Sequence, residues 1–369
     1  LMAPTEILAQ QHFRTLSELL EPFGVKVCCL TGSIPKKERT IIDEKIKSGE
    51  FHVVTGTHAL ISDTTEFRRL GLVIMDEQHR FGVNQRAKLA QKGMNPHRLV
   101  MSATPIPRTL GLILYGDLDI SILDELPPGR QEIRTDVVDS RYNKRLYKFI
   151  KEAIARGEQC YIVCPAVEEN ENDLKSAEEF AEELANGEFK GYTLGILHGK
   201  MKAKDKENIM KSFASGKVNI LVSTTVVEVG VDVPNATIMV IENAERFGLS
   251  TLHQLRGRVG RGSKKSFCVL VSDTKSETAR ERLMTMKMYS DGFKIADTDL
   301  KQRGPGDFFG SRQHGLPELK IADMVEDIDT LQNAQNCAKE ILKADFDLAS
   351  AQNFALKHQM DKMFEKMTS

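Results

Sequence analysis

The stretch Val73-Ile74-Met75-Asp76-Glu77-Gln78-His79 closes an apolar run with two adjacent carboxylates. At the carboxyl end of a parallel strand, such a pair sits where ligands meet a sheet. The first carboxylate can hold Mg²⁺ through water, and the second can orient a water for attack on a γ-phosphate. A bare Asp-Glu pair is more often a charged turn, so its company decides. A second apolar run ends in Ser102-Ala103-Thr104-Pro105, and far downstream comes Gln254-Leu255-Arg256-Gly257-Arg258-Val259-Gly260-Arg261. Arg258 and Arg261, three apart, fall on one side of a helix or its terminus and can reach a polyphosphate together. Fixed guanidinium groups suit the charge that develops in phosphoryl transfer. Taken singly, this run is also an ordinary basic helix end, and Lys264 and Lys265 extend it as a solvated patch that includes Arg256.

These residues need a sheet to hold them. Short apolar runs alternate with amphipathic stretches, which predicts a parallel sheet with helices on both faces. Strands are expected at Val25–Leu30, Phe51–Thr55, Leu72–Met75 and Leu99–Ser102, with helices at Glu6–Glu21, Pro35–Ser48 and Gln85–Gln91. Leu126-Pro127-Pro128-Gly129-Arg130 breaks the pattern. A second series follows, with strands at Ile133–Val138, Cys160–Val163, Thr193–Leu197, Val218–Val222, Thr237–Ile241 and Phe267–Val271. Helices are expected there at Arg141–Arg156, Leu174–Ala185, Ala203–Ser215 and Thr251–Val259. Two similar α/β layers in tandem result, with no close internal sequence repeat. Beyond Ser272, Thr278–Tyr289 is helical, 303–315 is glycine-rich, and 322–366 reads as helices without strand partners. The acidic run 168–188 carries nine carboxylates against Lys175 alone and reads as a solvated face.

The chain has 369 residues, a formal charge of −1 and a hydrophobic share of 41%, so it is long enough for more than one globular core. Any grip on nucleic acid must come from a local patch. No apolar run approaches the ~18–20 residues of a membrane helix. Six cysteines lie mostly inside strand-like runs and read as reduced core residues; Cys160 and Cys164 lack the spacing of a zinc site. Tryptophan is absent, so a stacking platform for single strands is not expected. Histidines such as His12, His97, His253 and His358 show no ligand spacing.

The three chemical motifs, in this order, resemble superfamily 2 helicases of the DEAH/DExH type. Asp76-Glu77-Gln78-His79 resembles their Walker B motif, Ser102-Ala103-Thr104 their coupling motif, and Gln254 to Arg261 their arginine-finger motif. Ala3-Pro4-Thr5-Glu6 resembles the first strand-contacting motif, with Thr31-Gly32-Ser33 and Gly56-Thr57-His58 the next ones. The run 224–232 is similar to the motif lining the cleft between lobes. The resemblance implies tandem RecA-like parallel-sheet domains, the first truncated at its N-terminus, followed by a helical C-terminal region. The expected division is 1–127, 128–275 and 276–369.

Asp76 to Val83 and Ala103 to Leu110 narrow the resemblance to branched-DNA translocases of the RecG and transcription-repair coupling families. Asp124 to Arg130 and Arg303 to Gly315 favour the RecG type. The implied activity is ATP-dependent remodelling of stalled forks and Holliday junctions in a bacterial cytoplasm. ATP and Mg²⁺ are implied as cofactors, branched duplex DNA and replication-fork proteins as partners, and a monomer is favoured. Asp76 would hold Mg²⁺ and Glu77 would position water. Gln254, Arg258 and Arg261 would reach the γ-phosphate, with Gly230 and Asp232 nearby. Thr5, Thr57 and Thr224 would contact the DNA backbone, Ser102 and Thr104 would couple the two sites, and Arg303 and Arg312 would act in a loop moving on duplex DNA.

One part of the pattern is not in these residues. No Gly-x-x-x-x-Gly-Lys-Ser/Thr phosphate loop occurs, and Gly195-Ile196-Leu197-His198-Gly199-Lys200-Met201 is a near miss that reads as a strand end. In the resembled family that loop precedes the Ala3-Pro4-Thr5 motif. The expectation is therefore a fragment that is inactive alone. The rival expectations are a coupling-factor translocase and a purely structural, non-catalytic piece.

Overall fold

The structure, a computed structural model, describes residues 1–103, 118–125, 130–165, 171–224, 233–303 and 327–368. Contacts divide the chain into two compact units, one of Leu1–Pro105 with Leu126–Gly292 and one of Ile106–Glu125 with Phe293–Ser369. Both α/β layers belong to the first unit.

In the first layer the strands are β1 (Val27–Leu30), β2 (Val53–Gly56), β3 (Leu72–Met75) and β4 (His97–Val100). β1 pairs with β2 and β3 with β4, all in parallel. Met2 bridges both Gly56 and Met75, so residues 1–3 run as a short strand through the middle of the sheet. The ladder is closed by Met2 N donating to Ile74 O, Ala3 N to Gly56 O and Asp76 N to Met2 O. The order is therefore β1-β2-(1–3)-β3-β4. Helices α1 (Glu6–Leu20), α2 (Lys36–Ser48) and α3 (Val83–Ala90) connect the strands. Met2, Leu30, Leu60, Val73, Met75 and Phe81 form the buried core. Gly56 is required here, because a Cβ at that position would stand 2.2 Å from Leu30 O.

The second layer is a six-stranded parallel sheet. Its strands are β5 (Ile133–Val138), β6 (Gln159–Val163), β7 (Leu194–Leu197), β8 (Ile220–Ser223), β9 (Ala236–Ile241) and β10 (Ser266–Val271), in the order β5-β10-β9-β6-β8-β7. Helices α4 (Asn143–Ala155), α5 (Glu171–Asn186), α6 (Ala203–Ala214) and α7 (Leu249–Arg256) cover it. β6, β8 and β9 are buried along their whole length, as strands covered on both faces must be. Among the described residues four helices follow β10: α8 (Glu277–Met288), α9 (Gly292–Arg303), α10 (Ile328–Ala344) and α11 (Phe354–Thr368).

The two layers share strand order and direction, as expected of two similar α/β layers in tandem, and no close sequence repeat accompanies the likeness. Matching β1-β2-(1–3)-β3-β4 to β7-β8-β6-β9-β10 superposes order and direction. The sequence carries the trace at a constant offset of 167 residues: Leu30 with Leu197, Gly32 with Gly199, Ser48-Gly49 with Ser215-Gly216, and Thr57 with Thr224. Gly49 and Gly216 end their helices at φ 80° and 76°, a conformation glycine adopts without steric cost. The amides of Thr57 and Thr224 donate to Leu30 O and Leu197 O, the equivalent strand ends. Elsewhere Ile, Val, Leu, Met and Phe exchange freely in the two cores, which is why the repeat is faint.

Candidate active site and its partner motif

Asp76 stands at the carboxyl end of β3, next to the central strand. Glu77 follows in the left-handed region at φ 50°, ψ 50°, an unusual conformation for a residue with a Cβ. Such strain, of order 1 kcal/mol, is retained where the turn must aim a side chain. Gln78 N donates to Met101 O, and the Glu77 Oε2 carboxylate oxygen accepts from Ala103 N at 3.4 Å. The Walker B-like turn is thus tied to the Ser102-Ala103 segment after β4. The turn ends through Phe81 into Gly82, which caps α3, and Gln85 Oε1 accepts from Gly82 N at 3.2 Å.

One partner of Asp76 carries no signal in the sequence. His12 Nε2, on α1, donates to Asp76 Oδ2 at 2.8 Å. The two side chains retain 25% and 19% exposure, so the site is reachable from solvent. Asp76 is a hard-oxygen donor, and no group of three or more His, Cys, Asp or Glu side chains is placed to cage a metal among the described residues. That donor set fits Mg²⁺, which keeps most of its waters and takes one or two carboxylates plus phosphate oxygens.

The second layer repeats this turn. Asp76-Glu77-x-x-Arg80-Phe81-Gly82 corresponds to Glu242-Asn243-x-x-Arg246-Phe247-Gly248. Asn243 has φ 47°, ψ 49°, and Phe247 and Gly248 lead into α7 as Phe81 and Gly82 lead into α3. Here chemistry has diverged. Glu242 Oε1 is shut off from solvent with no hydrogen-bond partner among the described residues. Burial, and then the nearby Asp273 charge, push its carboxyl up to about 7. A carboxyl raised in this way holds its proton more tightly folded than unfolded, so its contribution is complete below pH ~4.5 and is lost as pH rises through 7. A shift of that size is worth about 3 kcal/mol. Glu242→Gln is expected to raise the melting temperature at pH 8 while matching the parent near pH 4.5. Melting curves across pH 4.5–8 that stay parallel for the two proteins would contradict this assignment.

α7 presents the arginine-finger motif. Gln254 and Arg258 are half-buried and Arg261 is exposed, its Nε donating to Gly257 O at 3.3 Å. Arg256 is not part of a solvated patch, contrary to expectation. It is buried and donates to Met286 O at 3.0 Å, Tyr289 O at 2.8 Å and Ser290 O at 3.0 Å. These are the open carbonyls where α8 ends, so Arg256 caps that helix with a matching charge. Arg282 reinforces the join by donating to Glu245 O at 2.8 Å. His253 is pushed down to about 4, first by burial and then by Arg256.

The other expected site residues are placed as follows. Thr5 caps α1, accepting from Leu8 N at 3.4 Å. Thr57 is buried with its hydroxyl unpartnered among the described residues, and Thr224 is buried at the equivalent turn. Ser102 lies exposed beside Ala103. Arg303 is the last residue of α9. Thr104, Gly230, Asp232 and Arg312 lie outside the described residues. The six cysteines are free, and burial raises the thiols of Cys28, Cys160, Cys164 and Cys268. Among the described residues no helix is long and apolar enough to cross a membrane.

Two parallel sheets of matching strand order, a Walker B-like turn on one and an arginine motif on the other resemble the core of a DExH-type helicase. Family profiles agree, with "DEAD/DEAH box helicase" over residues 1–113 and "Helicase conserved C-terminal domain" over 142–263. A third, "ATP-dependent DNA helicase RecG, domain 3, C-terminal", matches 289–368. Within that class the chain closely resembles the helicase core of RecG. It is 50% identical over 368 residues to the ATP-dependent DNA helicase RecG of Synechocystis sp., covering 100% of this chain and 44% of the relative. Against the Bacillus subtilis RecG it is 49% identical over 347 residues, covering 94% and 51%. A solved RecG bound to a three-way DNA junction matches with a TM-score of 0.72 and 46% identity over 90% of this chain and 43% of that one. The chain thus spans about half the length of these relatives.

Proposed function

We propose that this chain supplies the motor core of an ATP-dependent DNA helicase that remodels branched duplex DNA. The observation that carries the reading is the Asp76-Glu77 turn, strained at Glu77 and tied to Ala103, in a chain half identical to RecG. Asp76 would hold the Mg²⁺ of a bound ATP, and that ion neutralises phosphate charge. Glu77 would orient the attacking water. Gln254, Arg258 and Arg261 would meet the γ-phosphate, with Gly230 and Asp232 beside the nucleotide. Ser102 and Thr104 would relay the state of this site to the DNA.

Thr5, Thr57 and Thr224 would mark the DNA track. Because Thr57 and Thr224 are buried, contact there is assigned to the turns they anchor, such as the exposed His58, rather than to their hydroxyls. Arg303 and Arg312 would act on duplex DNA from the glycine-rich run 303–315. In this reading residues 1–127 and 128–275 are the two motor lobes and 276–369 the transmission segment.

The test compares the 369-residue chain with a form carrying the additional length of its relatives, called here the extended form. The extended form is expected to hydrolyse ATP at ~1 s⁻¹ or faster, more strongly stimulated by a three-way junction than by linear duplex. The 369-residue chain, which has no phosphate loop of its own, is expected to turn over far more slowly. DNA-independent turnover, or none in the extended form, would overturn the reading.

A further inference from the structure

We propose that His12 is a positioning residue for the Asp76 carboxylate. The inference rests on Asp76 being the residue that holds the nucleotide's Mg²⁺. Two elements converge on Asp76. Its backbone is fixed by the central strand, through Asp76 N donating to Met2 O at 3.0 Å. Its side chain is fixed by α1, through the 2.8 Å bond from His12 Nε2 to Oδ2.

α1 is itself anchored firmly. Thr5 caps its first turn, and Thr5, Ala9 and His12 lie at the spacing of one helix face, with Ala9 fully buried against the sheet layer. His12 is therefore presented from a packed helix, not from a mobile side of the molecule. The contact engages Oδ2 of the carboxylate, and Oδ1 would be the acceptor for a metal-bound water. Groups that hydrogen-bond a ligating carboxylate set its orientation, and their loss typically weakens metal binding 10–100-fold.

The experiment uses Mn²⁺ with ADP as the probe, its binding to the extended form followed by electron paramagnetic resonance, alongside melting temperature. His12→Ala is expected to raise the Mn²⁺ concentration for half-saturation about 10-fold or more. His12→Gln, whose amide can donate to Asp76, is expected to recover most of that affinity, with melting unchanged in both. Asp76→Asn is the reference for a lost ligand. If His12→Ala binds Mn²⁺ as the parent does while Asp76→Asn is impaired, the positioning role is wrong and the reading of Asp76 stands. If melting and affinity fall together in both His12 variants, the contact is packing and the proposal is overturned. If Asp76→Asn binds Mn²⁺ normally, Asp76 holds no metal and both readings fail.

Discussion

Glu77→Gln in the extended form is expected to abolish ATP turnover while leaving nucleotide binding intact. The substitution preserves size and hydrogen bonding, including the contact to Ala103 N, and removes only the charge proposed to orient water. Loss of a positioned general base costs about 10²–10⁴ in rate, which sets the size of the effect. Glu77 also sits in a left-handed turn that any substitution must occupy. Melting temperature is the control, because Gln faces the same backbone cost as Glu and stability should not change. Steady-state ATPase with a fluorescent nucleotide-binding assay reads both halves. A variant retaining most of its turnover would show that the strained carboxylate serves the turn and not the chemistry.

Arg256→Ala carries the largest expected loss of stability. The guanidinium is buried and satisfies three carbonyls at the end of α8. Its removal leaves those acceptors short of a charged donor and opens a void, a loss of about 2–4 kcal/mol. Arg256→Lys should recover only part, because one ammonium cannot span three acceptors as a planar fork does. Arg261→Ala, five residues further along and exposed, should cost less than about 1 kcal/mol. Denaturant melts of the 369-residue chain separate them. If Arg256→Ala melted with Arg261→Ala, the three-carbonyl cap would not be holding α8 to the motor lobe.

That contrast shows where sequence reading stops. In Gln254 to Arg261 three arginines look alike, and their division of labour depends on what packs behind each one. Arg256 points to a helix end some 30 residues further along the chain. His12 and Asp76 are 64 residues apart, and a lone histidine on an amphipathic helix carries no spacing that would link them. The strands were easier. Leu72–Met75 and Ile133–Val138 appear as read, because buried parallel strands write themselves as unbroken apolar runs. The Asp76-Glu77, Ser102-Ala103 and arginine motifs stand at strand and helix ends, where the apolar runs before them placed them. The likeness of the two layers was legible in the alternation of strands and helices, but the few residues they share, turn glycines and threonines, are too scattered to show as a repeat. Glu242 shows the result: the same turn as Asp76, kept for its shape, with a carboxyl driven toward its neutral form.

Glu77 on one layer and Arg258 on the other are proposed to act on a single nucleotide. That joint action is tested most directly by a double-mutant cycle on the ATPase rate of the extended form, with Glu77→Gln, Arg258→Ala and the pair measured on junction DNA. Groups that serve one transition state are strongly non-additive. Each single variant is expected to lose at least about 100-fold, and the double variant to be scarcely slower than the worse single one. Losses that multiply, or an Arg258→Ala variant with unimpaired turnover, would contradict it.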